Sequence, residues 1–384
     1  MRVHVYAHRN SRELVEQAGG TFVDLFAKHS LEEADSKSTL TGCRYVSFAG
    51  LYADEILREV RELGPSIVVY DTFAVIGRVA GMALGIPYVN VCNGHNIDPA
   101  RYVAEMSRAT RVAVSDRCRR AVELLRERYG LEDASPFSYL YGRSPFLNVY
   151  CEPAAWLPET DRPLFEPVVF YGSLPAIEEL EAEGPAGPSL FGGASGRLRV
   201  YASFGTVVWH YWPRETLEAL ATVSRFLGGL ENASCLISVG GSEAAAPAVP
   251  QLTRPNVSAR RFVDQWEALR EADVFITHNG LSSTHEAIFH GVPMLSYPFF
   301  ADQPAMTALC RSLGLAVPLS EEARGPLTER DLEAAFDELA LSSESLRANL
   351  ARAREWELET IRDRGSVHDR IVGLIGQAGA GRPA

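Results

Sequence analysis

The chain has 384 residues, 46% apolar and 22% charged, which excludes a disordered or fibrous polypeptide and is long enough for two domains. A formal charge of −12 with scattered basic residues argues against a nucleic-acid or anionic-membrane partner, and no apolar run approaches the ~20 residues of a spanning helix. Six widely spaced cysteines without a C-x-x-C pair, together with a start lacking a basic-then-apolar leader pattern, predict reduced thiols in a cytoplasmic enzyme.

Val3 to Ala7 forms a short β-rich run that leads into the polar turn His8-Arg9-Asn10-Ser11. A helical pattern at Leu14, Val15 and Ala18 precedes Gly19-Gly20 and a second strand, Thr21 to Phe26. Residues 28–44 are polar and poorly patterned, and are expected to form a loop. Leu51 to Leu63 is helical, stops at Gly64-Pro65 and feeds the strand Ile67 to Tyr70. A helix over 75–84 ends at Gly85, followed by the strand Tyr88 to Val91. Strand runs that are continuously apolar, separated by helix-length segments, indicate a parallel sheet covered on both faces.

Residues 172–196 are rich in Gly, Pro, Ala and Glu, as suits a solvated linker. The strand-helix rhythm then restarts with Leu198 to Ser203, a helix near 214–228, strands Cys235 to Val239 and Asp273 to Thr277, a helix over 282–290 and a strand Met294 to Tyr297. Thr328 and Asp331 stand at capping-box distance, and the helical stretch 343–375 is interrupted by Gly365. The expected units are residues 1–171, a linker 172–196, a second unit 197–355 and a returning helix with tail, 356–384.

One window concentrates chemistry: Asp264-Gln265, then ADVFITHNGLSSTHEAIFHGVPMLSYPFFADQ ending at Gln303. The strand Val274 to Thr277 runs into His278-Asn279-Gly280 and a helix beginning about Ser282. A strand, a glycine turn and a helix start bring free backbone N–H groups and the positive dipole end together, a natural phosphate site. Ser282, Ser283 and Thr284 could cap this helix or donate hydroxyls to the same oxygens. Glu286, one turn on, could hold ribose hydroxyls, and Asp302 and Gln303 follow the next strand, where open α/β sheets place ligands.

This window resembles the donor-binding signature of family-1 nucleotide-sugar glycosyltransferases, in the bacterial branch that acts on macrolides and other natural products. The resemblance implies the GT-B fold, two Rossmann-like doubly wound α/β domains facing across a cleft. It implies that His278 contacts the diphosphate, that Gly280, Ser282 and Ser283 bind phosphate, that Glu286 holds ribose, and that Asp302 and Gln303 hold sugar hydroxyls. Phe262 matches the base-stacking aromatic, with Val263 and Gln265 beside it, and Gly205 and Thr206 in Ser203-Phe204-Gly205-Thr206 match a turn flanking the diphosphate. Leu281 and Ser282 depart from the tryptophan and asparagine common in plant members.

The family's acceptor domain opens with a strand and a loop histidine that serves as general base. The start of this chain resembles the family's second strand, so about one βα unit, ~30 residues, is expected to lie upstream or to be replaced by another segment. Removing a central strand would leave its two neighbours without partners. Asp71, in VVYDTFA, matches the aspartate that orients the base, and His8 and His95, the latter near Asp98, are candidate substitutes.

His285 and His290 read as packing or surface residues, Trp266 and Trp356 as packing, and Arg117, Arg119 and Arg120 as a solvated helix face. Trp209, Tyr211 and Trp212 could line an acceptor cleft or pack between domains. No metal or other cofactor is expected, because the carboxylates are not clustered and helix ends can neutralise a diphosphate. The implied activity is inverting transfer of a hexose from a nucleotide diphosphate sugar, UDP-linked, to a hydroxyl or amine of a small acceptor. Two rivals are a donor-binding homologue without turnover and a GT-B sugar-nucleotide epimerase.

Overall fold

The structure, a computed structural model, describes residues 2–94, 113–140, 143–176, 188–192, 197–241 and 243–380. Twelve strands among these residues form three parallel sheets. The strands are β1 (His4–Ala7), β2 (Thr21–Asp24), β3 (Val68–Asp71), β4 (Tyr88–Cys92), β5 (Leu147–Tyr150), β6 (Val168–Phe170), β7 (Leu198–Ser203), β8 (Ala233–Ser238), β9 (Val257–Arg260), β10 (Val274–Thr277), β11 (Met294–Ser296) and β12 (Ala316–Pro318). The longer helices are α1 (Thr41–Leu63), α2 (Val75–Leu84), α3 (Asp116–Tyr129), α4 (Pro213–Gly228), α5 (Gln265–Glu271), α6 (Leu281–Phe289), α7 (Gln303–Ser312), α8 (Glu329–Leu341), α9 (Ser343–Arg362) and α10 (Arg364–Ala380).

The C-terminal sheet has the order β12-β11-β10-β7-β8-β9. Strand order reverses between β7 and β10, which pair directly with Ser203 opposite Thr277, so the crevice beyond these two ends is the switch point of a doubly wound sheet. Alternation along the buried strands divides the core. Val200, Ala202, Ile237 and Ile276 face one layer, whereas Tyr201, Leu236 and Phe275 face the other.

The N-terminal strands form two separate sheets, β3-β4-β5-β6 and the pair β1-β2. Among the described residues β1 pairs only with β2 and β3 only with β4, leaving one open edge on each. Helix α1 bridges the two: Phe48 meets Phe26 with ring centroids 5.1 Å apart, and Tyr45 meets Phe73 at 6.1 Å. Its buried stripe, Cys43, Val46, Ala53 and Leu57, packs with Val75 and Val79 of α2 and with Val122 and Leu125 of α3. The stretch 28–44, expected as a loop, contains the turn of helix Leu31–Ala34 and the start of α1. Tertiary packing of Cys43 extends that helix ten residues earlier than the local pattern suggests.

Helix α10 returns to the N-terminal sheet, where Val367 is buried with Val89, Leu147, Val149 and Val169. The interruption before it falls at Asp363 rather than at Gly365. Thr328 caps α8 through a capping box with Asp331. No described helix is long and apolar enough to cross a membrane.

Candidate functional site

His278 follows β10 at the switch point and sits between two glycines. A Cβ at Gly205 would lie 2.8 Å from His278 Nε2, and one at Gly280 only 2.5 Å from it. Gly205 also has φ 75, a left-handed conformation that glycine adopts freely. The two bare backbones thus make the slot that holds the imidazole. Burial lowers the His278 pKa from its ordinary value to about 4, and its Nδ1 is buried without a hydrogen-bond partner among the described residues. The ring is a neutral imidazole that lacks its complement of hydrogen bonds.

Asn279 makes the turn after His278 at φ 54, a conformation asparagine tolerates, and its Nδ2 donates to Thr284 Oγ1 at 3.3 Å. Helix α6 starts at Leu281 with Gly280 as its N-cap, and no side chain caps it. The expected capping by Ser282, Ser283 or Thr284 is not found. Ser283 instead lies 3.0 Å from Gln265 Nε2, which also donates to Glu286 Oε2 at 2.7 Å. Burial raises the Glu286 pKa, and the Gln265 bond works against that rise. Ser282 and Thr206 are exposed, and no side chain caps the first turn of α6.

The other predicted contacts divide by exposure. Phe262 is 67% exposed, a flat ring before α5, whereas Val263 is buried in the core with Trp156 and Phe191. Leu281 packs against that core. Gln303 is buried, and its Oε1 accepts from the Phe299 and Phe300 N–H groups at 2.8 and 3.1 Å, so its carbonyl holds the loop that presents Asp302. Ala301 takes φ 54, a strained value for a residue with a Cβ, and packs against the N-terminal core. A Cβ at Gly94 would lie 3.6 Å from Asp302 Oδ2, which places Asp302 across the cleft from the loop after β4.

The opposing wall is aromatic. Phe73, 41% exposed, stacks on Tyr139 at 5.5 Å, and Tyr45 lies beside it. From the C-terminal unit, Tyr211 and Trp212 pack with Phe300, and the Tyr211 hydroxyl bonds Thr41 Oγ1 across the cleft. Trp209 is buried in the C-terminal core, so the aromatic cluster at 209–212 divides between core and cleft.

Asp71 ends β3 and is exposed, with Oδ1 accepting from the N–H groups of Phe73 and Ala74 at 2.7 and 2.9 Å. The Tyr45 pKa is raised by burial and then by the neighbouring Asp71 charge. His8 is exposed, its ring 6.0 Å from Phe26, and its Nδ1 accepts from Asn10 N–H. Among the described residues no imidazole is bonded to Asp71. His95, and Asp98 near it, lie outside the described residues. Trp266 packs edge-on with His290 and against Phe289. His285, expected as a packing or surface residue, is instead held by two buried carboxylates, Glu152 and Glu357. Those partners are 133 and 72 residues away, so no local pattern marks them.

Residues 193–354 match the family described as UDP-glucoronosyl and UDP-glucosyl transferase. Among curated proteins, mouse UDP-glucuronosyltransferase 3A1 is 38% identical over 69 residues, 17% of this chain and 13% of that protein. UDP-glucuronosyltransferase 2B33 of Macaca mulatta is 53% identical over 45 residues, 12% of this chain and 8% of that protein. The chain therefore spans only a small part of the length of these relatives. Solved structures match along nearly the whole chain. The calicheamicin glycosyltransferase CalG4 has a TM-score of 0.69 at 18% identity, covering 98% of this chain and 91% of that one. The Streptomyces sp. SF2575 glycosyltransferase SsfS6, complexed with thymidine diphosphate, has a TM-score of 0.60 at 18% identity, covering 98% and 91%.

Proposed function

We propose that the protein is a natural-product glycosyltransferase using a nucleotide diphosphate sugar, since residues 193–354 match the family described as UDP-glucoronosyl and UDP-glucosyl transferase and the described residues have the GT-B fold. The observation that carries this reading is the slot at the switch point: a neutral His278 seated between Gly205 and Gly280, beside a helix start that no side chain caps. The diphosphate would accept from the first N–H groups of α6 and from His278, and Ser282 and Thr206 stand exposed at the same edge. Gln265 and Glu286, already paired, would hold the ribose, and the exposed Phe262 would stack on the base. Uracil and thymine both fit a flat ring contact; UDP is the first nucleotide to test.

In this reading the acceptor is a small, largely apolar molecule that lies against Tyr45, Phe73, Tyr211 and Phe300, with its hydroxyl or amine toward Asp71. Attack on the anomeric carbon from the side opposite the diphosphate inverts its configuration. The C–O bond to the acceptor forms as the bond to the diphosphate oxygen breaks, and the nucleophile's proton goes to an imidazole that Asp71 orients or to a substitute base, for which His8 and His95 are the candidates. Charge that builds on the departing diphosphate is stabilised by the α6 N-terminus and the His278 donor. Side chains and a helix end supply this role, and the reading involves no metal.

Calorimetric titration with UDP and with thymidine diphosphate tests the donor site. Micromolar binding that falls at least tenfold in His278→Ala supports it, and the absence of binding by the folded wild type overturns it. Transfer lost in Asp71→Asn with donor affinity kept supports the acceptor-side assignment. A donor-binding homologue without turnover is the second reading, favoured by Asp71 Oδ1 being engaged by the N–H groups of Phe73 and Ala74. It predicts nucleotide binding with no transfer to any acceptor.

A further inference from the structure

Three distant segments meet at His285, in the middle of α6 one turn beyond Ser282. His285 Nδ1 lies 2.6 Å from Glu357 Oε1 and Nε2 lies 3.2 Å from Glu152 Oε1. All three side chains are at most 1% exposed, and the Trp156 ring stands edge-on to the imidazole at 4.9 Å. Only the doubly protonated ring can donate to both carboxylates. Burial opposes that charge, but the two glutamates outweigh it and raise the His285 pKa to about 10. Glu357 Oε2 is buried with no hydrogen-bond partner among the described residues.

A buried ion cluster adds little stability over apolar packing of the same volume, so its position is the informative property. Glu152 follows β5 of the N-terminal unit, and Glu357 lies on α9, which leads into the helix docked on the N-terminal sheet. His285 belongs to α6, the helix whose first turn faces the diphosphate slot. At ~100° per residue, His285 is about 200° around the helix from Ser283 and about 100° from Glu286. Gln265 therefore holds α6 from one face while the two glutamates hold it from another.

We propose that His285 is a positioning residue for the nucleotide site, a charged pin that fixes α6 to Glu152 of the N-terminal unit and to Glu357 of α9. The pin sets the angle at which the α6 N-terminus and Glu286 meet the nucleotide. It also makes that angle depend on how the two units sit against each other. The inference rests on the donor-site reading above.

The test combines nucleotide titration with nuclear magnetic resonance of the ring nitrogens in protein labelled at histidine. In the wild type, one histidine is doubly protonated at pH 8, its signals vanish in His285→Gln, and they shift on saturation with UDP or thymidine diphosphate. Glu152→Gln folds cooperatively, binds the nucleotide about tenfold more weakly and raises donor KM, with acceptor KM within about twofold of wild type. His285→Gln reproduces this loss, and the double variant is no worse than either single one. A His285 that is neutral at pH 8, or whose signals ignore bound nucleotide, overturns the proposal even where the variants fail to fold. A Glu152→Gln protein that is less stable but binds nucleotide normally also overturns it, since the cluster then serves structure alone. Failure of the wild type to bind either nucleotide removes the donor-site reading and the pin together, whereas normal binding by both wild type and variants removes only the pin.

Discussion

His278 is held by what its neighbours lack. Gly280 has φ −66, so alanine would suit the backbone there and the substitution isolates the steric demand. Gly280→Ala should push the imidazole out of its slot, lower nucleotide affinity at least tenfold and cost about 1–3 kcal/mol in urea unfolding. An unchanged affinity would show that the slot does not set the donor site. The same ring has a pH signature. With its folded pKa at about 4 against 6.5 unfolded, His278 contributes stability that is present above pH 6.5 and lost as pH falls through 4. Urea midpoints between pH 7 and pH 4 should therefore fall less steeply in His278→Asn than in wild type. The motif residues were legible because strand, turn and helix start are contiguous in sequence. The engagement of Gln303 with the 299–300 turn was not, because it depends on how that loop closes.

Elements show where local pattern stops being sufficient. Helices α2 and α4 lie within a residue or so of their predicted bounds because both have strong stop or start signals, Gly85 after one and Pro213 at the first position of the other. Helix α1 begins at Thr41, ahead of any readable periodicity, because its first turns are stabilised by contacts with α3 and Tyr139. Strands β5 and β6 are four and three residues long, and their pairing partners are remote in sequence. The segment Ala154–Trp156 belongs in sequence to the N-terminal unit, yet Trp156 is fully buried in the C-terminal core. Trp156→Ala should cost about 3–5 kcal/mol and reduce cooperativity between the units, measured by urea unfolding followed at two probes. A loss below 1 kcal/mol would mean that the indole is not an anchor between them.

At the scale of the molecule, the connections that hold the two units in register include Trp156 in the opposite core, the His285 cluster, and α10 on the N-terminal sheet. Val367 is almost completely buried under that sheet, so Val367→Asp places a charge among Val89, Leu147, Val149 and Val169. We expect a loss of several kcal/mol and release of α10, seen as faster amide exchange across β4, β5 and α10, while exchange across β7 and β10 stays near wild type. Uniform acceleration in both units would show instead that the whole chain unfolds as one block.

The sequence by itself determined which residues stand at the switch point, since His278, Gly280, Ser283 and Glu286 lie within nine residues and their spacing follows from a strand running into a helix. It also determined a parallel α/β architecture, because strands buried on both faces must be apolar throughout. Tertiary structure alone decided the rest. The N-terminal strands divide into two sheets joined by α1, and that depends on strand pairing between distant segments. The cleft wall joins Thr41 to Tyr211, residues 170 apart. From sequence His285 reads as a packing or surface residue, and its charge is set by Glu152 and Glu357, which only the fold brings within hydrogen-bond distance. Electrostatic environment is a property of what packs around a side chain, and for this one the packing comes from three separate parts of the chain.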